Sequence, residues 1–169
     1  VTDNPTSEAI RRAEEFGVSV HICELSNFDS RTLWDDALLA TLQQLKPDFV
    51  VSAGFMKVLG ASVVEEFEGR LINIHPSLLP DFPGAHAVND ALSRGVKKTG
   101  TTVHFIDRGV DTGPIIAQRE VEIRHDDSVE SLHERIKDVE RKLIVDVVTD
   151  FAKKASQSVQ LFSKQSHNQ

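Results

Sequence analysis

The chain has 169 residues, 40% of them hydrophobic, with 26 acidic against 19 basic side chains for a formal net charge of −7. That length suits one domain with a sizeable core, and the acidic balance argues against a general nucleic-acid surface while allowing a local basic pocket for a small anion. No apolar run approaches the ~18 residues of a membrane-spanning helix, residues 1–17 are polar and helical in pattern unlike a leader, and the single Cys23 fits a reducing cytoplasm as a packing residue.

In chain order, residues 1–5 (VTDNP) read as the end of a strand entering a helix cap, so the domain is expected to begin before Val1. Residues 6–16 carry a capping residue, an early acid at Glu8 and a stop at Gly17, which together predict a helix. A short alternating strand follows at 18–22. Asp29 or Ser30 caps the next helix, with an apolar stripe of Leu33, Ala37, Leu38, Thr41, Leu42 and Leu45 that ends at Lys46-Pro47. The continuous apolar run 49–53 (FVVSA) predicts a buried parallel strand. A short helix at 63–67, a strand carrying Asn73 and His75, and a helix at 87–94 ended by Gly95 come next. Two strands with little between them, 101–106 and 115–123, predict an antiparallel pair. Ser128 opens a long helix to about Lys153, with Val129, Leu132, Ile136, Val139, Leu143 and Val147 on one face. Residues 155–169, rich in Ser, Gln and Lys, read as a polar, frayed C-terminal tail. The alternation predicts an α/β fold: a three-layer α/β/α, Rossmann-like domain over 1–154 with a mostly parallel sheet and an antiparallel strand pair near the C-terminal half.

The stretch 71–80 (LINIHPSLLP) carries most of the chemical information. Asn73 and His75 are two apart and project from one face of an extended backbone, while Pro76 ends the ladder and leaves both at the carboxyl edge of the sheet, where ligands bind in open α/β folds. Taken alone, the pair reads equally well as structural. A second strand, 101–106, breaks at Asp107-Arg108-Gly109-Val110 and delivers Asp111 on a tight loop. An Asn, a His and an Asp so placed are the groups that polarise a carbonyl, shuttle a proton and tune the imidazole. His104 alternates with Thr102 on one strand face and reads at least as well as a buried structural histidine; His86 reads as structural. Neither the histidine spacing nor the lone cysteine follows a metal-site pattern, so no metal is expected.

The ordered motifs AGFMKVL (53–59), NIHPSLLP (73–80), GAH (84–86), GTTVHF (100–105) and GVDTGPII (109–116) together resemble the phosphoribosylglycinamide formyltransferase family, over a stretch from Val1 to about Val148. The resemblance implies transfer of a formyl group from 10-formyltetrahydrofolate to the amine of glycinamide ribonucleotide, with Asn73, His75 and Asp111 as the catalytic trio. Asn73 and a protonated His75 would stabilise the oxyanion, and Asp111 would favour the charged imidazole and relay the amine's proton through water. It further implies folate contacts from Arg31, Met56, Lys57, Val58, Leu59, Asn73, Ile106, Asp107, Arg108, Gly109 and Val110, and nucleotide contacts from Ile74, Pro76 and Glu140. On local grounds Arg31 reads nearly as well as an exposed helix-start arginine, and Glu140 as an ordinary helix-face charge. The implied partners are these small molecules, with no metal, nucleic acid or membrane, in a cytoplasmic monomer or homodimer. One departure stands out: the family's opening strand and glycine-rich phosphate loop, a unit of roughly 30 residues with its helix, are not among these residues. Methionyl-tRNA formyltransferase, formyltetrahydrofolate hydrolase and a non-catalytic folate or nucleotide module remain as alternatives.

Overall fold

The computed structural model describes the backbone of residues 1–165 and the side chains of residues 1–154. Its elements run α1 (Glu8–Glu15), α2 (Arg31–Leu45), β1 (Val50–Ser52), α3 (Ala61–Glu66), β2 (Leu71–His75), α4 (Ala87–Ser93), β3 (Lys98–Phe105), β4 (Ile115–Glu122) and α5 (Val129–Gln165). The strands hydrogen-bond in the order β1-β2-β3-β4, an open α/β sheet of mixed direction. By internal contacts the chain divides into two units, residues 1–72 with 106–108, and residues 73–105 with 109 onward.

In the first unit the core gathers Cys23, Trp34, Leu38, Leu42, Val63, Val64, Phe67 and Leu71. Ser30 caps α2 by accepting the Leu33 N–H, and Lys46 ends it in a left-handed conformation, because Pro47 bars the residue before it from continuing the helix. The buried face of α2 is Trp34, Leu38 and Leu42, whereas Leu33 and Leu45 of the expected stripe stay 51% and 43% exposed. Trp34 displaces them: its indole N–H donates to the Cys23 carbonyl at 2.7 Å and its ring stacks on Phe55 at 6.0 Å, which turns that side of the helix inward. The strand expected at 18–22 reduces to a single parallel bridge between Thr2 and Ile22, since Thr2 alone supplies its pairing partner. Nor is β1 buried on both sides as its apolar run predicts. It stands at the end of the strand order, Val51 is 38% exposed, and it borders a cavity of about 800 Å³ also lined by residues 1–4.

In the second unit β3 and β4 pair antiparallel from Lys98↔Glu122 to His104↔Ile115, with a register shift between Val103 and His104. Leu132, Ile136, Leu143 and Val147 of α5 are buried, following the helical spacing of the sequence. Ser128 accepts the Ser131 N–H at the start of that helix. Instead of ending near Lys153, α5 continues to Gln165, because the segment contains no Gly or Pro to break it. The last residues of the expected tail, 166–169, lie outside the described residues.

Gly100 permits the close approach of β4. A β-carbon there would sit 2.1 Å from the Arg119 carbonyl oxygen and 2.7 Å from Leu78 Cδ2, and backbone has no rotamer by which to yield. Gly100→Ala is therefore expected to cost about 3 kcal/mol, read from the urea midpoint; a loss below ~0.5 kcal/mol would show that the strands separate freely.

Candidate active site

The end of β2 belongs to the second unit, and the alternation of the strand brings Asn73 and His75 to the same carboxylate. His75 Nδ1 lies 3.3 Å from Asp111 Oδ2, and Asn73 Nδ2 lies 3.4 Å from Asp111 Oδ1. His75 is 5% exposed, and its other nitrogen, Nε2, sits 2.8 Å from the Phe82 carbonyl oxygen. Both ring nitrogens therefore face acceptors.

Two further groups complete the arrangement. The Gly84 N–H donates to Asp111 Oδ2 at 2.8 Å, from a backbone turn with φ +87° that glycine adopts without strain. His104, 2% exposed, holds Nδ1 at 2.8 Å from the Phe105 carbonyl oxygen, while its Nε2 is 3.3 Å from Asn73 Nδ2 and 3.5 Å from Asp111 Oδ1. The loop presents Asp111 with φ 56°, in the left-handed region. The neighbouring His104 ring, with the Gly84 N–H and the two imidazole charges, outweighs burial and holds the Asp111 carboxyl at about 2.

His104 and Gly84 are the members of this cluster that the sequence reading named without assigning them to the site. The signal for His104 was present in its alternation with Thr102, but a buried strand histidine has the same pattern whether or not it touches a site. Gly84 acts through its backbone, which leaves no side-chain trace. His86, read as structural, is exposed; its backbone carbonyl accepts the Asp90 N–H at 2.9 Å, and its side chain makes no capping hydrogen bond to α4.

The remaining candidates divide between the units. In the second, Ile74 and Pro76 flank His75 and are half-buried, as is Glu140 on α5, where burial pushes the carboxyl pKa up. Gly109 and Val110 are exposed on the loop before Asp111. In the first unit, Met56, Lys57, Val58 and Leu59 follow β1 in an irregular segment, with Met56 and Val58 well exposed. Arg31 donates to the Val58 carbonyl, pairs with Asp35 at 3.1 Å and lies over the Trp34 ring at 4.7 Å; Lys57 pairs with Asp3. The Ile106 N–H donates to the Leu71 carbonyl at 2.9 Å, next to half-buried Asp107, and Arg108 pairs with Glu65. Among the described residues there is no group of three or more His, Cys, Asp or Glu arranged for a metal ion, and no helix long and apolar enough to cross a membrane.

Residues 1–148 match the formyl transferase family. The chain is 51% identical over 140 residues to a phosphoribosylglycinamide formyltransferase of Mycobacterium tuberculosis, covering 83% of this chain and 65% of that protein. It is 38% identical over 148 residues to the phosphoribosylglycinamide formyltransferase of Bacillus subtilis, covering 88% and 76%. The crystal structure of phosphoribosylglycinamide formyltransferase from Streptococcus pneumoniae superposes with a TM-score of 0.84 at 38% identity, over 88% of this chain and 83% of that one. The chain thus spans only 65% of the length of the mycobacterial relative.

A depressed carboxylate pKa stabilises the fold above its unfolded value, and that stability is lost as pH falls through the folded value. With Asp111 at about 2, its contribution of about 2 kcal/mol is complete above pH ~4 and disappears toward pH ~2. Urea unfolding across that range should show a loss larger by about 2 kcal/mol in the native protein than in Asp111→Asn, since other paired carboxylates such as Asp127 titrate in both; parallel curves would mean that the Asp111 carboxylate is not held in its charged form.

Proposed function

Because the chain belongs to the formyl transferase family, we propose that it transfers the formyl group of 10-formyltetrahydrofolate to the amine of glycinamide ribonucleotide, in purine (IMP) biosynthesis. The observation that carries this reading is the meeting of Asn73, His75 and Asp111 at one strand end, with Asp111 within 3.4 Å of both partners. These groups match the chemical demands of formyl transfer. The amine nitrogen attacks the formyl carbon, a new C–N bond forms, and the carbonyl oxygen gains negative charge in a tetrahedral centre. That centre collapses as the bond to the folate nitrogen breaks; the amine gives up a proton and the folate nitrogen gains one.

His75 is the electrophilic partner and proton donor in this scheme. Its Nδ1–H, at 3.3 Å from Asp111, is long for a charge-assisted hydrogen bond, so a developing oxyanion competes well for it. Asp111 supplies the balancing negative charge. A carboxyl held at about 2 stays ionised near neutral pH but binds a proton weakly, which suits relay through water better than proton storage. Asn73 orients the reacting groups beside them.

The folate would be contacted by Arg31, the irregular segment Met56, Lys57, Val58 and Leu59, by Asn73, and by the loop of Ile106, Asp107, Arg108, Gly109 and Val110. Backbone groups there offer hydrogen bonds to the pterin, and exposed Met56 and Val58 offer apolar cover. Ile74, Pro76 and Glu140 would serve the nucleotide. No metal takes part in this scheme, and the setting proposed is the cytoplasm, with a monomer or homodimer as the acting form.

Formyl transfer by the protein, followed spectroscopically through the folate product, is expected to fall by ~10²–10⁴-fold in His75→Ala and in Asp111→Ala. Binding of a folate analogue, titrated in parallel, should change little. Native rates in both variants would remove the trio from the mechanism.

A further inference from the structure

We propose that Gln118, on β4 and outside the cluster around Asp111, is a positioning residue: with Thr102 it fixes the loop that follows β2, and that loop aims the Phe82 carbonyl at His75. The inference rests on the formyl-transfer reading and adds to it a residue remote from the reacting atoms. Thr102 and Gln118 are partners across the ladder of β3 and β4. The Gln118 side-chain NH2 donates to the Leu79 carbonyl at 2.8 Å and to the Thr102 hydroxyl at 2.9 Å. A carbonyl only accepts, so the nitrogen end of the amide is the one that faces the loop.

Thr102, fully buried, has every hydrogen-bonding position filled. Its hydroxyl donates to the Ser77 carbonyl at 2.7 Å and accepts from the Leu79 N–H at 3.1 Å as well as from Gln118. Both polar backbone groups of Leu79 are thereby held by side chains of two neighbouring strands.

The far half of the loop is tied back to this anchor. The Ser77 hydroxyl donates to the Asp81 carbonyl at 2.5 Å, and the Asp81 N–H donates to the Leu78 carbonyl at 3.0 Å. Phe82 comes next with φ 55°, a left-handed conformation that a bulky residue keeps only when its surroundings enforce it. Burial of its ring, with the Arg94 guanidinium 5.2 Å from the ring centre, is one constraint, and the anchored turn is the other. In that conformation the Phe82 carbonyl oxygen lies 2.8 Å from His75 Nε2 and orients the imidazole whose other nitrogen meets Asp111. A turn released from its anchor relaxes toward ordinary backbone geometry, and the ring loses that support.

Gln118→Met keeps the length of the side chain and removes both donors; Thr102→Val keeps the shape and removes the hydroxyl. Each is expected to lower kcat for formyl transfer ~10-fold while KM for either substrate stays within ~2-fold, and Thr102→Ser should recover most of the rate. Placed in His75→Ala, the same substitutions should lower the remaining rate by less than ~2-fold, because the side chain they orient is gone. A ~10-fold loss in both backgrounds would overturn the proposal, as would native kcat in Gln118→Met and Thr102→Val. Should Thr102→Val fail to fold, Gln118→Met, at a half-buried position, carries the test.

Should the native protein transfer no formyl group at all, the functional reading fails, and the geometry is still tested by the ring signals of His75 in a ¹³C-histidine spectrum, identified by their loss in His75→Ala. They are expected to move in Gln118→Met and to keep their native positions in Thr102→Ser. Signals left at their native positions in Gln118→Met would overturn the positioning role on their own.

Discussion

A carboxylate with little water around it must have its charge answered by neighbours, and the candidate site is arranged around that requirement at Asp111. Its oxygens face His75, Asn73, His104 and the Gly84 N–H, drawn from β2, β3 and the loop between β2 and α4. Apart from the Gly84 N–H at 2.8 Å the contacts are long, two of them beyond 3.3 Å, but in a dry setting the loss of any one leaves part of a charge unanswered. The same carboxylate that supports the proposed chemistry therefore also fixes where the strand ends sit. Function and local order share one group.

Much of this was legible because it follows from period. Two-residue alternation put Asn73 and His75 on one face, the short break between 106 and 115 implied the antiparallel pair, and a 3.6-residue stripe located the buried face of α5. What resisted was decided by packing partners distant in sequence. Trp34 turned α2 by bonding to Cys23, eleven positions earlier, a preference no stripe count contains. The apolar run around β1 reads as doubly buried, yet its burial depends on what lies beside it, and Val51 borders a cavity. His104 stayed ambiguous for a related reason, since burial and participation in a site leave the same mark on an alternating strand.

Arg31, at the start of α2, illustrates how a polar side chain is engaged by its own fold. Arg31 uses Nε on Asp35, one terminal nitrogen on the Val58 carbonyl and its face on Trp34. These contacts order the guanidinium, so under the proposed folate role less entropy would be lost on binding an anion there. Two of the five N–H bonds of the guanidinium carry this anchoring, so donor capacity is left over.

The left-handed backbone at Asp111, φ 56°, has a consequence for the range of sequences this loop tolerates. Among side chains carrying a carboxylate, the shorter one is far more at home in that conformation, and β-branched or bulky residues are strained there whatever their chemistry. Conformation and charge thus filter the position independently. Asparagine passes the first filter and glycine passes it easily, but neither passes the second, so evolutionary drift at this site meets aspartate as an isolated solution with few neutral neighbours.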